Sequence, residues 1–104
     1  MITIKNLRNA KPKYEFDVRV DRESILGNPF HMKDESQREI VCKKYAIHFE
    51  NELANNQEFK KELDRLALLY KTHGKLNLFC WCSPKQCHAE IIRDYIIKLE
   101  RELI

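Results

Sequence analysis

The sequence has 104 residues, carries a formal net charge of +3, and is 43% hydrophobic and 34% charged. This length can support one hydrophobic core but not two, so we expect a single domain over residues 1–104. With 2 glycines and 3 prolines, the composition excludes a low-complexity or fibrous chain. No apolar run is long enough for a membrane span and the first residues lack a signal-peptide core, so a cytoplasmic location without membrane contact is expected.

The excess positive charge lies near the N-terminus. Residues 1–22 hold six Lys/Arg and three Asp/Glu, and the rest of the chain is balanced. Three net positive charges bind the phosphate backbone of a nucleic acid only weakly. We therefore expect a small anionic ligand as the partner and do not expect nucleic acid. The 4 cysteines, in a chain without an export signal, are interpreted as thiols.

Two short strands are predicted at the start of the chain. Ile2 and Ile4 indicate the first, and the basic segment 9–13 is the expected turn. Residues 14–21 alternate strictly between apolar and polar side chains, which predicts a strand with one buried face. Its buried face would carry Tyr14, Phe16, Val18 and Val20, and its solvent face Glu15, Asp17, Arg19 and Asp21. Residues 22–30 have no periodicity and contain Gly-Asn-Pro, which predicts an ordered loop.

Two helices are expected between this loop and the next strand. Ser36 and Glu39 have the spacing of a capping box, which predicts the start of the first helix. Asparagines at 55–56 interrupt it, and an apolar stripe over residues 59–70 predicts the second helix. Gly74 is its expected left-handed C-cap.

Residues 76–81 are apolar apart from one asparagine, which predicts a central strand covered on both faces. Ser83 as N-cap, with Pro84 at the first helical position and Gln86 closing a second capping box, predicts a final helix directly afterwards. The order is ββααβα. We therefore predict a small Rossmann-like α/β domain with a three- to four-stranded, at least partly parallel sheet flanked by helices. Such folds bind ligands beyond the carboxyl ends of their strands.

The densest cluster of reactive side chains is Cys-Trp-Cys-Ser-Pro-Lys-Gln-Cys-His at residues 80–88. A helix N-terminus here can hold an anion and lower the pKa of a thiol, which makes Cys87 a candidate nucleophile and His88 a candidate acid or base. Alternatively, Cys82 and Cys87 form a hydrophobic staple around Ser83, and His88 is a half-buried packing residue. Zinc is not expected, because one strand end and one helical turn do not bring these ligand types together, and no cofactor is expected.

The loop over residues 22–30 is the second candidate region. Gly27 would let a ligand approach the backbone closely, and the loop's polar side chains suit a phosphate or a ribose. A rigid surface turn is the alternative interpretation. The expected ligand-binding residues are Arg19, Arg22, Ser24, Gly27, Asn28, Pro29, Cys82, Ser83, Cys87 and His88. The catalytic candidates are Asp21, Cys87 and His88.

Two signature blocks carry a family resemblance: the Gly-Asn-Pro-Phe loop within residues 17–30 and the Cys-Trp-Cys-x-Pro-x-x-Cys-His junction of residues 80–88. Over residues 14–97 the sequence resembles the uncharacterised phage and bacterial family called domain of unknown function 4326. The resemblance implies no established activity. This chain departs from the family at Asp21, where a glycine is common.

Three functions remain open at this point. The first is a phage-type domain that binds a nucleotide or nucleoside derivative between the loop at 22–30 and the helix N-terminus at 83–88, in the host cytoplasm if the protein is phage-encoded. The second is a small hydrolase or transferase acting on an N-glycosidic or phosphate bond. The third is a homodimeric interaction module, because the C-terminal helix has more apolar positions than one core-facing stripe needs.

Overall fold

The computed structural model describes residues 1–81 and 88–102. The elements are β1 (Ile2–Asn6), β2 (Asp17–Arg19), a 3₁₀ helix (Glu35–Gln37), α1 (Arg38–Asn55), α2 (Gln57–His73), β3 (Leu76–Cys80) and α3 (Ala89–Glu102). This α/β arrangement has the predicted order of strands and α-helices. Among the described residues, no helix is both long and apolar enough to cross a bilayer.

The strands form one sheet in the order β1-β3-β2, and β3 runs parallel to both neighbours. The central position predicted for β3 is therefore confirmed. Neighbouring rows of the sheet are Ile4, Leu78 and Val18, followed by Lys5, Phe79 and Arg19. Because side chains alternate across a sheet, these two rows lie on opposite faces. The Leu78 row belongs to the core formed with α1, α2 and α3, and we call the other side the open face.

The link between β1 and β2 contains no helix. These strands are parallel and flank β3, so residues 7–16 must return across the sheet to begin β2 at the same edge. They cross the open face, where five residues of the link line a common cavity with Phe79: Ala10, Lys11, Lys13, Tyr14 and Phe16. Phe79 is 1% exposed although it lies outside the core cluster. Helices thus cover one face of β3 and the link covers the other.

The prediction of a strand over residues 14–21 is wrong at both ends, because β2 covers only Asp17–Arg19. The carboxylate of Asp17 accepts hydrogen bonds from the backbone N–H groups of Lys13 (2.8 Å) and Tyr14 (3.1 Å). The Asp17 N–H donates to the Tyr14 carbonyl at 2.9 Å. These bonds close a turn before the strand and leave Tyr14 64% exposed on what was predicted as a buried face.

The first helical segment is capped two residues earlier than predicted. Asp34 is the N-cap of the 3₁₀ helix, and its Oδ1 accepts a hydrogen bond from the Ser36 N–H at 2.9 Å. Gln37 Oε1 accepts from the Lys33 N–H at 2.9 Å. The two capping side chains, Asp34 and Gln37, are three residues apart, like Ser36 and Glu39 in the predicted box.

The second helix starts after the predicted break at residues 55–56 and ends at the predicted Gly74 cap. The Asn56 side chain accepts hydrogen bonds from the N–H groups of Glu58 and Phe59, and Gly74 ends α2 in the left-handed conformation with φ 72°. The predicted start of the last helix, with its Ser83 cap, lies outside the described residues. In the described part of α3, Ile92 and Ile96 are buried, and the large exposed apolar side chains of the described residues all lie on other segments. Ile91, Ile97 and Leu99 are partly buried, and the homodimer stays a prediction.

Candidate functional site

A cavity of about 460 Å³ lies at the carboxyl ends of β2 and β3. The parallel pairing of these strands brings the chain after Arg19 next to the chain after Cys80. This is the edge at which open α/β sheets hold ligands. The lining residues of this carboxyl-end cavity are Arg19, Asp21, Arg22, Glu23, Asn28, Trp81 and His88.

Asp21 is the centre of a hydrogen-bonded cluster in this cavity. Its side chain is 7% exposed and accepts hydrogen bonds from Arg19 Nε at 3.2 Å and from Trp81 Nε1 at 3.0 Å. A second Arg19 nitrogen pairs with Asp21 Oδ2 at 2.5 Å, and another pairs with Glu23 at 3.1 Å. The prediction that Asp21 faces solvent is wrong, because the strand ends before it and the chain turns inward.

The Asp21 carboxyl is ionised at neutral pH. Burial by itself raises the pKa of Asp21, but hydrogen bonds from Arg19 and Trp81 and the charge of Arg19 outweigh it and hold the pKa below its ordinary value. An ionised carboxylate whose oxygens already accept these bonds is a fixed acceptor rather than a proton donor. This state suits a structural role in the cavity better than acid catalysis.

Trp81 is a cavity residue that the sequence-based site prediction did not include. It follows the buried strand β3 directly, yet it is 53% exposed. The indole N–H is fixed by Asp21, and the backbone carbonyl accepts a hydrogen bond from Asn6 Nδ2 at 3.2 Å. Glu23 was missed as well. An aromatic residue at the end of an apolar strand was the available signal for Trp81.

His88 is a buried link between α3 and the end of β2. It is 6% exposed, and its Nε2 is hydrogen-bonded to the carbonyl of Val20. Since a carbonyl only accepts, Nε2 carries the proton. Burial, aided by the charge of Arg22, lowers the pKa of His88 despite its bond to Val20, so the ring is neutral at pH 7. The ring also lies edge-on to Tyr45 at 5.1 Å. These contacts favour the packing interpretation of His88.

The turn after Asp21 explains why residue 27 is a glycine. The Ser24 N–H donates to the Asp21 carbonyl and the Gly27 N–H to the Ser24 carbonyl, each at 2.9 Å. A Cβ at Gly27 would lie 2.3 Å from the Asp21 carbonyl oxygen and 2.6 Å from the Arg22 Cα. The sequence analysis expected a ligand to approach Gly27 closely. In the structure, the group that approaches Gly27 closely is the protein's own backbone.

The other predicted ligand-binding residues do not all share one cavity. Arg22 and Asn28 line the carboxyl-end cavity and also a neighbouring cavity of about 460 Å³ on the other side of the loop. Ser24, Gly27 and Pro29 line only the neighbouring cavity among those described. Cys82, Ser83 and Cys87 lie outside the described residues. The described residues contain no group of three or more potential metal ligands. Because the candidate thiols of Cys82 and Cys87 are not among the described residues, the absence of zinc stays a prediction.

No solved structure shows a significant match to this chain. A curated relative is the "Uncharacterized 12.4 kDa protein in nrdA-td intergenic region" of Enterobacteria phage T4, which is 28% identical over 92 residues, covering 88% of this chain and 78% of the relative. A family model described as Domain of unknown function (DUF4326) matches residues 4–98. The chain therefore belongs to the DUF4326 family.

Proposed function

We propose that this protein binds a nucleoside or a nucleotide derivative in the carboxyl-end cavity. The observation that carries the proposal is the pair formed by Asp21 and Trp81, in which a buried, ionised carboxylate fixes an indole that is 53% exposed. Stacking on an aromatic side chain contributes about 1–3 kcal/mol per base and accepts every base. A fixed indole supplies this surface with little loss of side-chain entropy on binding.

The polar groups around the indole suit a ribose and a base edge. The cavity volume of about 460 Å³ falls within the usual range for small-molecule sites, roughly 300–1,000 Å³. The Arg22 Nε contact with the Asn28 carbonyl is long, at 3.4 Å, so a ligand can replace it at small cost. Glu23 supplies acceptors for ribose hydroxyls.

The charges of the cavity favour a ligand with at most one phosphate. Among the described residues, two arginines and two carboxylates line it, and Arg19 is paired with both Asp21 and Glu23. Of the described cations that line the cavity, this leaves Arg22 available to an anion. We therefore expect a nucleoside or a monophosphate to bind more tightly than a triphosphate.

The alternative hydrolase or transferase function receives no support from a described side chain. Asp21 and His88 are each committed to structural hydrogen bonds. Cys87, the candidate nucleophile, lies outside the described residues. Binding without turnover is therefore the function that the geometry favours.

Calorimetric titration with nucleosides and their monophosphates tests this proposal. We expect Arg22→Ala to weaken monophosphate binding about tenfold while nucleoside binding changes less, because it removes one phosphate contact. We expect Asn28→Ala to weaken both ligands. Arg22→Ala should retain its stability within about 0.5 kcal/mol, because its side chain is exposed. Asn28→Ala should lose about 1 kcal/mol, because Asn28 Oδ1 accepts a hydrogen bond from the Phe30 N–H at 2.9 Å.

Arg101→Ala is the matched control, because Arg101 is exposed at the far end of α3. It should bind every ligand as the wild type does. The proposal is wrong if the wild type binds none of the nucleosides and monophosphates, or if Arg22→Ala and Asn28→Ala bind them all with wild-type affinity.

A further inference from the structure

A separate cavity of about 300 Å³ lies on the open face of the sheet, beneath the link between β1 and β2. Its cationic lining residues are Lys5, Lys11, Lys13 and Lys75. Aromatic side chains of Tyr14, Phe16 and Phe79 complete its walls, together with Asp17 and Asn77. We call it the open-face cavity, and none of its lining residues takes part in the proposed nucleoside site.

The open-face cavity holds an uncompensated positive charge. Four lysines face one carboxylate, that of Asp17. The Asp17 oxygens are directed to the N–H groups of Lys13 and Tyr14 and to Asn77 Nδ2, which donates to Oδ1 at 2.7 Å. In the described part of the chain, none of these four lysine side chains forms an ion pair. The local surplus of three charges equals the net charge of the whole chain, +3.

Two of the lysines are held in place by rings. The Lys75 ammonium lies 4.5 Å from the centroid of Phe16, and the Lys5 ammonium lies 6.0 Å from the centroid of Phe79. Cation–π contacts of this kind position an ammonium without neutralising it. Like charges gathered at one place repel one another and destabilise the folded state. A bound polyanion would relieve this repulsion.

We propose that the open-face cavity binds clustered phosphate groups. Lysine ammonium groups act on phosphate as point charges and do not require the planar geometry that arginine provides. The recess and its few charges suit a short run of phosphates rather than a duplex, whose footprint needs many more cations. The inference stands on the lysine cluster alone and does not depend on the nucleoside site.

The phosphates could come from a free polyphosphate or from a short single-stranded nucleic acid, and Tyr14 separates these sources. Tyr14 is 64% exposed at the rim and stacks on Phe16, with the ring centroids 5.1 Å apart. A base can stack on Tyr14, whereas inorganic phosphate cannot. Tyr14→Ala should therefore weaken an oligonucleotide and leave inorganic tripolyphosphate unaffected.

The test is calorimetric titration of the full chain with inorganic tripolyphosphate, repeated with a short oligothymidylate. We expect wild-type binding that weakens as salt rises, and a loss of roughly tenfold or more in the double variant Lys11→Glu/Lys13→Glu. The matched control is Lys61→Glu/Lys98→Glu, which reverses two lysines on α2 and α3 and gives the chain the same net charge. Thermal melts without ligand confirm that each variant is folded.

Wild-type affinity in the control, together with the loss in Lys11→Glu/Lys13→Glu, supports the inference. If oligothymidylate binds the wild type and binds Tyr14→Ala more weakly, the site is assigned to nucleic acid. If oligothymidylate does not bind the wild type, and tripolyphosphate binds the wild type and Tyr14→Ala equally, the site is assigned to free polyphosphate. The inference is overturned if tripolyphosphate does not bind the wild type, or if both double variants lose affinity equally.

Discussion

The two cavities at the sheet differ in how their cations are partnered. Arg19 and Phe79 are neighbours in one row, yet Arg19 lines the carboxyl-end cavity and Phe79 the open-face cavity. In the first, Asp21 and Glu23 pair with the arginine. In the second, lysines lie over aromatic rings, which leave their charge intact. A cavity's charge therefore depends on what each cation contacts, and basic composition alone does not determine it.

This difference gives the cavities different selectivities. The described lining of the carboxyl-end cavity is balanced in charge and has a fixed indole, so this cavity should discriminate by shape and stacking. The open-face cavity has a surplus of ammonium charge, so it should discriminate by ligand charge and respond strongly to salt. Variants that disturb one cavity and spare the other test this division.

The largest expected effect is that of Gly27→Ala. The new Cβ would meet the Asp21 carbonyl oxygen at 2.3 Å, and because that atom is backbone the turn must shift. We expect a loss of about 3 kcal/mol in unfolding free energy, measured by urea denaturation. Any folded fraction should lose nucleoside binding and keep tripolyphosphate binding.

Gly74→Ala is the matched glycine control. A Cβ at Gly74 would meet nothing within 4 Å, but the φ of +72° disfavours a side chain there. The cost should be about 1 kcal/mol, with both ligands unaffected. A Gly27→Ala variant as stable as Gly74→Ala would contradict the assigned role of Gly27.

Tyr45→Phe is expected to loosen the loop over the carboxyl-end cavity. The buried Tyr45 hydroxyl donates to the Leu26 carbonyl at 2.7 Å, and its removal leaves that acceptor without this donor. We expect a loss of about 1–2 kcal/mol by thermal or urea unfolding. Tyr70→Phe is the comparison, because the Tyr70 hydroxyl forms no hydrogen bond within the described residues, and it should cost much less. Equal losses in the two variants would show that the bond to Leu26 does not hold the loop.

Asp21→Asn should produce a smaller effect that depends on pH. Because the folded-state pKa of Asp21 is lowered, its carboxylate contributes stability above the ordinary carboxyl range, and this contribution disappears as pH falls through the lowered pKa. The variant should lose about 1 kcal/mol at pH 7 and should approach the wild type in acid. Urea unfolding at pH values from about 2 to 7 measures this convergence.

Asp64→Asn provides the control for that series. Asp64 pairs with Lys60 on the exposed side of α2, at 3.3 Å. An exposed pair contributes little, so the variant should follow the wild type at every pH. A constant gap between the wild type and Asp21→Asn down to the lowest pH would contradict the assigned ionisation of Asp21.

Local sequence signals predicted the elements whose ends depend on local contacts. The break at residues 55–56 and the end of α2 at Gly74 were predicted, because a left-handed glycine and an asparagine at a helix boundary act within a few residues. The start of the first helical segment was missed because Asp34 with Gln37 and Ser36 with Glu39 have equal spacing. Which of the two pairs caps the helix depends on the hydrogen bond from the Lys33 N–H to Gln37 Oε1, and a sequence pattern does not show that bond.

The site was less accessible to sequence reasoning because its contacts join distant segments. The carboxyl-end edge could be predicted from the apolar strand and the helix expected after it. The burial of Asp21 could not be predicted, because it depends on a contact with Trp81, which lies 60 residues away in the sequence. The open-face cavity was also missed. Its lysines converge only because the link after β1 crosses the sheet, although the clustering of basic residues near the N-terminus was visible.

The most direct test of the division between the cavities is the fluorescence of Trp81, the single tryptophan of the chain. Adenosine should change Trp81 emission in a saturable way. Saturating tripolyphosphate should leave both the emission and the adenosine affinity unchanged, while raising the melting temperature by its own binding. If adenosine leaves the emission unchanged, or if tripolyphosphate competes with it for the Trp81 signal, the two cavities do not have the separate roles assigned to them.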